Sequence, residues 1–530
     1  MRLAILLLLA LAAHAQVPYS RLLHSAKEPH NWLTYSGNYS GQRYSTLDQV
    51  TAANVHRLQV DWVLQTYTTE SFETTPLVVD GVMYLTIGPN QVRAIDARTQ
   101  AVYWTYTRRI PDDLRLCCGR VNRGVAVLDD MVFYGSIDAH LIALDAKTGK
   151  VRWDVELADY KLGYSSTGAP LALKDKVVTG MAGGEYGTRG FIDAYDARTG
   201  KRAWRFRTIP ELGEPGNSTW AGDSWKTGSA TTWVTGAFDP DSNTIYWGSG
   251  NPGPDWNGDV RLGDNLYSNC FLALDADTGE RKWHFQFTPH DTHDWDSTHV
   301  PVLAEIPFRG ARRKVVLSAN RNAFFYVLNR ENGKFLHGKP YAKQTWAKGL
   351  DDNGRPILNA NIDPTVEGNL IWPSLAGATN WFSPAYNPRT NLFYASVREQ
   401  GAFYFKGEAT FQPGAVFNGG GQRTNPDEDP YGAIRALDPE SGSVKWEFKI
   451  HSPANAGILT TAGNLVFTGV QNDFAALHAE SGKLLWRFRT GGFINAAPIT
   501  YSLDGQQFVA VAAGRALLVF RLSPESSPTK

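Results

Sequence analysis

The chain has 530 residues, 42% hydrophobic and 20% charged, which is enough apolar material for a large core and excludes a disordered protein. Lys plus Arg and Asp plus Glu each number 52; with zero formal net charge, no basic run and no acidic tail, nucleic acid and anionic membrane are excluded as main partners. The 17 Trp, 22 Tyr, 25 Phe and 50 Gly favour strands and tight turns, so an all-β class is expected.

The first element in chain order is a leader. Met1-Arg2 precedes the apolar run Leu3–Ala13 and then Ala13-His14-Ala15, the pattern of a secretory signal peptide over residues 1–15 cleaved near Ala15. The run is too short to span a bilayer and no later run is long enough, so residues 16–530 are expected as one soluble domain in an oxidising compartment, the periplasm.

A repeat then runs through the chain. Ala94-Ile-Asp-Ala-Arg-Thr-Gln leads to Trp104, and Ala143-Leu-Asp-Ala-Lys-Thr-Gly leads to Trp153. Further copies start at Ala194, Ala273, Ala436 and Ala476 and lead to Trp204, Trp283, Trp446 and Trp486. A worn copy at Val327 leads to His337, and Trp62 ends a partial one. Each copy reads as strand, turn, strand: the Asp side chain binds local N–H groups, the Gly accepts positive φ, and the Trp wedges between neighbouring sheets. Apolar segments such as Thr75–Leu85 and Gly124–Tyr134 add strands. A unit of this size cannot bury its own face, so the units must stack, and closure into a ring protects their edges. Eight markers predict an eight-bladed β-propeller with W-type repeats, few helices, and covering loops in the gaps 204–283 and 337–446.

Three features carry chemistry. Cys117-Cys118 is either a strained vicinal disulfide or two buried thiols; in an exported chain with only Cys270 besides, the disulfide is favoured. No C-x-x-C-H and no zinc spacing occurs, which disfavours haem c and structural zinc. In Thr288-Pro-His-Asp-Thr-His-Asp294-Trp295-Asp296, an extended backbone would point Asp294 and Asp296 to one side, where a hard cation would relieve their repulsion; a solvated acidic loop is the alternative. His290, His293 and His299 read as turn and packing residues. Gly183-Gly184-Glu185 and Gly248-Ser-Gly-Asn251 put oxygen donors where glycine lets backbone approach a flat ligand, though each alone could be a turn.

Together these residues resemble the methanol/ethanol dehydrogenase family of PQQ-dependent quinoproteins, from about Asn31 to Leu522. The resemblance rests on the repeat, on Cys117-Cys-Gly-Arg-Val-Asn-Arg123-Gly, Gly183-Gly-Glu-Tyr-Gly-Thr-Arg-Gly190, Trp247-Gly-Ser-Gly-Asn-Pro-Gly-Pro254, and the Asp-Trp-Asp segment. It implies an eight-bladed propeller holding pyrroloquinoline quinone (PQQ) near one end of its channel, with Cys117-Cys118 on one face of the cofactor and Trp233 on the other. By the same resemblance Arg123, Thr167, Thr231, Asn380 and Glu73 contact PQQ, with the Gly183-Gly184 backbone close by. Glu185, Asn251 and Asp294 would hold a metal ion, Asp294 would be the general base, and Arg321 would stand beside the reacting oxygens. Asp296, two positions after Asp294, matches relatives that use a lanthanide instead of calcium, and its charge suits a trivalent ion.

Two positions depart from the family pattern: Asn455 where many relatives have Trp, and Ala182 where some have Ser. The implied activity is oxidation of a primary alcohol to an aldehyde, with electrons passed to a separate soluble cytochrome c-type carrier. Oligomeric state stays open, a homodimer included. The rival readings are a non-catalytic propeller scaffold and a PQQ dehydrogenase for polyols or sugars.

Overall fold

The computed structural model describes residues 16–524, so the leader read at 1–15 lies outside the described residues. Within them the repeat folds as its residue types demand. Asp96 Oδ1 accepts the backbone N–H groups of Arg98 at 2.9 Å and Thr99 at 2.8 Å, closing the turn between strands Gln91–Asp96 and Val102–Thr107. The last turn residue adopts left-handed φ in each copy, from +64° at Gln100 to +74° at Gly279; in every copy but the first it is a glycine, which enters that conformation without strain.

The tryptophans tie one copy to the next. The indole N–H groups of Trp104, Trp153 and Trp446 each donate to the carbonyl of Ala146, Ala197 and Ala479 at 2.9 Å, and Trp204 reaches Ala276 at 3.2 Å. Each ring also lies flat on the turn glycine of that next copy: a Cβ on Gly149 would stand 2.5 Å from Trp104, and one on Gly482 2.4 Å from Trp446. His337 fills the same place in the worn copy, its Nε2 lying 2.7 Å from the Pro439 carbonyl.

Eight sheets of four or five strands result, with two smaller ones. One of the eight joins the chain's ends: Leu58–Gln65 pairs antiparallel with Ala516–Leu522, which continues into Gln506–Ala513 and Ile499–Leu503. Here the marker differs. Trp62 Nε1 has no partner, and the hydroxyl of Tyr501 instead reaches the Ala97 carbonyl of the following repeat at 3.1 Å. The segment Thr75–Leu85, read as one strand, is a hairpin; Asp80 and Gly81 take φ +48° and +85° and split it into Leu77–Val79 and Val82–Ile87. Among the described residues the one α-helix is Tyr19–Leu23, and no helix is long and apolar enough to cross a membrane.

Each long gap holds strands of a main sheet as well as loops: Ala237–Asp239, Thr244–Gly248 and Cys270–Asp275 in the first, Ala385–Asn387, Leu392–Glu399 and Tyr431–Leu437 in the second. The second carries the small sheet Asn369–Ile371, Ala402–Lys406 and Gly420–Thr424. From it the Phe417 N–H donates to the Glu185 carbonyl at 2.6 Å, and the Asn418 carbonyl accepts from Trp256 N–H at 2.9 Å. These contacts tie the second gap to the loops that carry Glu185 and Asn251.

Candidate active site

Under the covering loops lies a cavity of about 360 Å³. Strand ends and the loops after them supply its wall, because there the sheet no longer claims the backbone and side chains turn inward. The cavity brings together Glu73, Cys117, Cys118, Arg123, Thr167, Gly183, Glu185, Thr231, Trp233, Asn251, Asp294, Asp296, Arg321 and Asn380 from positions more than 300 residues apart in sequence. Of the expected site residues only Gly184 is off the wall; its carbonyl accepts the Ser229 hydroxyl behind it. Gly183 is required to be glycine: its φ is +113°, and a Cβ would stand 2.1 Å from the Gly163 carbonyl oxygen.

Cys117 and Cys118 are bonded to each other, their Cα atoms 3.8 Å apart, and Cys270 is a buried free thiol, as expected. Burial pushes the Cys270 thiol up, so it stays protonated and inert. Glu185 Oε1 lies 3.6 Å from the Cys118 sulfur.

One end of the cavity is built for anions. Arg123 pairs with Glu73 at 2.9 Å and donates to Thr167 Oγ1 at 3.0 Å. Its guanidinium also faces the rings of Trp233 at 5.0 Å and Trp381 at 4.4 Å, while its Nε finds no partner. A buried guanidinium with donor capacity left over fits a carboxylated ligand.

The other end is acidic. Asp294 and Asp296 both face the cavity, but not for the reason that alternation gave. Their segment is a loop, not a strand, and Asp294 takes left-handed φ +59°. Asp291 holds that loop from beneath: its carboxylate accepts the N–H groups of His293 at 2.9 Å and Trp295 at 2.7 Å. Trp295 turns into the core, stacked on His293 with ring centres 4.3 Å apart.

Arg321 lies across the acidic pair, with Nη2 3.2 Å from Asp296 and Nη1 3.8 Å from Asp294, and donates to Asn380 Oδ1 at 3.0 Å. Asp296 also accepts from the Trp233 indole at 2.9 Å and the Asn251 N–H at 2.8 Å. Burial, and then the Asp296 charge, push Glu185 up to about 7; burial followed by the Asp296 and Asp255 charges raises Asp294 well above the carboxylate range. Among the described residues the oxygens of Glu185, Asp294 and Asp296 are not all within 4.8 Å of one another, and like charges facing one cavity repel. A hard cation is the group that would offset this repulsion, so the donors fit an oxygen-ligated metal ion.

Sequence reading missed three residues here. Asp255 is buried behind Asn251, and Trp381 and Phe382 follow Asn380 onto the wall. Only adjacency to a recognised residue could have pointed to them. At the departure site, Asn455 accepts from Arg398, whose Nη1 also reaches the Ala454 carbonyl at 3.1 Å.

The cavity fits a carboxylated ligand at one end and an oxygen-ligated metal ion at the other, and comparison with known proteins makes that specific. Residues 32–340 and 428–509 match the PQQ family described as glucose/ethanol/alcohol dehydrogenase, beta-propeller domain. The chain is 42% identical to the quinoprotein alcohol dehydrogenase PedH of Pseudomonas putida over 96% of its own length and 90% of that protein. Among solved structures, it is similar to the quinohemoprotein alcohol dehydrogenase from Comamonas testosteroni, with TM-score 0.92, 36% identity, and coverage of 98% of this chain and 84% of that one. It is also similar to a europium-containing methanol dehydrogenase, with TM-score 0.89, 32% identity, and coverage of 95% and 100%. The chain belongs to the PQQ-dependent alcohol dehydrogenase family and is an enzyme of that class.

Proposed function

We propose that this enzyme oxidises a primary alcohol to its aldehyde in the periplasm, using PQQ and one metal ion, and passes the electrons to a separate cytochrome c-type protein. The observation that carries the reading is Asp294 and Asp296 on one cavity wall with Arg321 across both. The eight sheets are read as the eight blades of one closed propeller filling residues 16–530.

In this reading the indole of Trp233 and the Cys117–Cys118 disulfide hold the two faces of PQQ. Arg123, Thr167, Thr231, Glu73 and Asn380 hold its polar edge. Glu185, Asn251, Asp294 and Asp296 hold the metal. When bound, PQQ supplies a two-electron acceptor and the metal a Lewis acid. The protein's part is proton handling and charge. An Asp294 carboxylate oxygen accepts the hydroxyl proton as the carbinol carbon loses hydride. Arg321, rigidly held by Asn380, stabilises negative charge developing on oxygen beside it. The covering loops exclude water from the step.

The charge of Glu185, Asp294 and Asp296 favours a trivalent ion over calcium, and a europium-containing relative supports that preference. Turnover of PQQ-loaded protein with La³⁺ against Ca²⁺, measured by dye reduction across a panel of alcohols, polyols and sugars, tests activity and metal together. No turnover on any alcohol would refute the function. Equal or higher rates with Ca²⁺ would refute the metal preference alone.

A further inference from the structure

We propose that Asp255 is a positioning residue for the metal site, acting through Asn251. This rests on the ligand set of the proposed function. The Asn251 side chain lines the cavity, and its Nδ2 donates to Asp255 Oδ1 at 2.8 Å. The side facing Asp255 is thus the amide NH₂, the arrangement that an ionised carboxylate, which only accepts, requires. That leaves the amide oxygen, the one atom of Asn251 able to bind a hard cation, for the cavity. Without this partner the two ends of the amide are nearly equal in shape and either could face inward.

Asp255 is itself held still. It is 2% exposed and stands outside the cavity wall, so it is one layer behind the ligands. The buried Arg261 clasps its backbone, with Nε donating to the Pro254 carbonyl at 3.0 Å and Nη2 near the Asp255 carbonyl at 3.3 Å. The other end of Asn251 is equally fixed, its N–H donating to Asp296 at 2.8 Å. Among the described residues no basic nitrogen comes within 4.0 Å of the Asp255 carboxylate. A buried ionised carboxylate without a basic side chain is costly unless a cation is near, and the cavity into which Asn251 faces is where one would be held. Asp255 thus fixes the orientation of a ligand and adds negative charge behind it, as outer carboxylates do in metal sites generally.

The test is isothermal titration calorimetry of La³⁺ into the PQQ-loaded, metal-free full chain. Asp255→Asn, which can present either amide face to Asn251, should weaken La³⁺ binding by about 10–100-fold. In an Asn251→Ala background the same substitution should change affinity less than about threefold, because the group it acts through is gone. Unchanged affinity in Asp255→Asn, or an equal loss in both backgrounds, would overturn the proposal. Unchanged affinity in Asn251→Ala alone would instead overturn the ligand set and this inference with it. If Asp255→Asn does not fold, Asp255→Glu replaces it: its longer arm displaces Asn251 and should still lower affinity, and no loss would overturn the role.

Discussion

The repeat turns and the cavity use the same devices, left-handed residues and buried polar contacts, to opposite ends. In the turns, every Asp is partly exposed and bound by local N–H groups, and in all but the first copy, where Gln100 stands, it is followed by a glycine that enters positive φ freely. Each interaction lies within a few residues or between adjacent copies, so the turns contribute stability, and Gln100 is the one turn end where a residue other than glycine takes left-handed φ. At the cavity, Asp294 itself takes φ +59°, Glu185 and Asp294 are pushed toward neutrality, and the atoms that meet come from distant strands. Strain and buried charge there are tolerated because the eight sheets fix the surroundings. The comparison teaches that the repeat supplies rigidity and the loops between repeats hold the chemistry.

The sharpest break should come from Asp294→Ala. Loss of the base should lower kcat by about 10³–10⁴-fold in the dye-linked assay, with the melting temperature unchanged or raised as a buried charge is relieved. A variant with kcat within tenfold of the parent would remove Asp294 from the role of base.

At the turns the reverse is expected. Trp446→Ala removes a ring that is 8% exposed, its bond to Ala479 and its cover over Gly482, and should cost about 3–5 kcal/mol by denaturant titration. Turnover per folded molecule should hold. If activity falls while stability stays, the division between the regions fails.

A third, smaller effect joins them. His299 is fully buried beside the acidic loop, burial lowers it to about 3, and neither ring nitrogen has a partner. Below pH 6.5 the unfolded chain binds a proton that the folded chain refuses. Stability should therefore fall as pH drops from about 6.5 toward 3, by about 1.4 kcal/mol per unit from this residue, with no dependence above 6.5. Melting temperatures of the parent and His299→Phe over that window should converge at neutral pH and diverge in acid, the parent falling faster. The smallest change should be Trp295→Phe: the ring points into the core, so kcat should move less than tenfold, and a loss matching Asp294→Ala would show that Trp295 takes part in the chemistry.

The class of fold was legible because its signal is local and repeated: an Asp, a Gly and a Trp at fixed spacing act on neighbours a few residues away, and the copies can be counted. The vicinal disulfide was legible for the same reason, since adjacency leaves little geometry to decide. Residue type and spacing also singled out Glu185 and Asn251 in glycine-rich contexts and the pair Asp294 and Asp296; Glu73, Arg123, Thr167, Thr231, Trp233, Arg321 and Asn380 came only from the resemblance, which joined the set. Tertiary structure alone decided the rest. Asp294 and Asp296 face one way because Asp291 pins a loop from below, not because a strand alternates. Asp255 stands behind Asn251 because Arg261 holds the chain there. Trp62 lacks the contact that Trp104, Trp153, Trp204, Trp283 and Trp446 make, and Tyr501 makes it from another strand of the same sheet. A side chain's direction in a loop depends on which distant groups accept or donate to it, and that information is spread over the whole chain, where no local pattern can carry it.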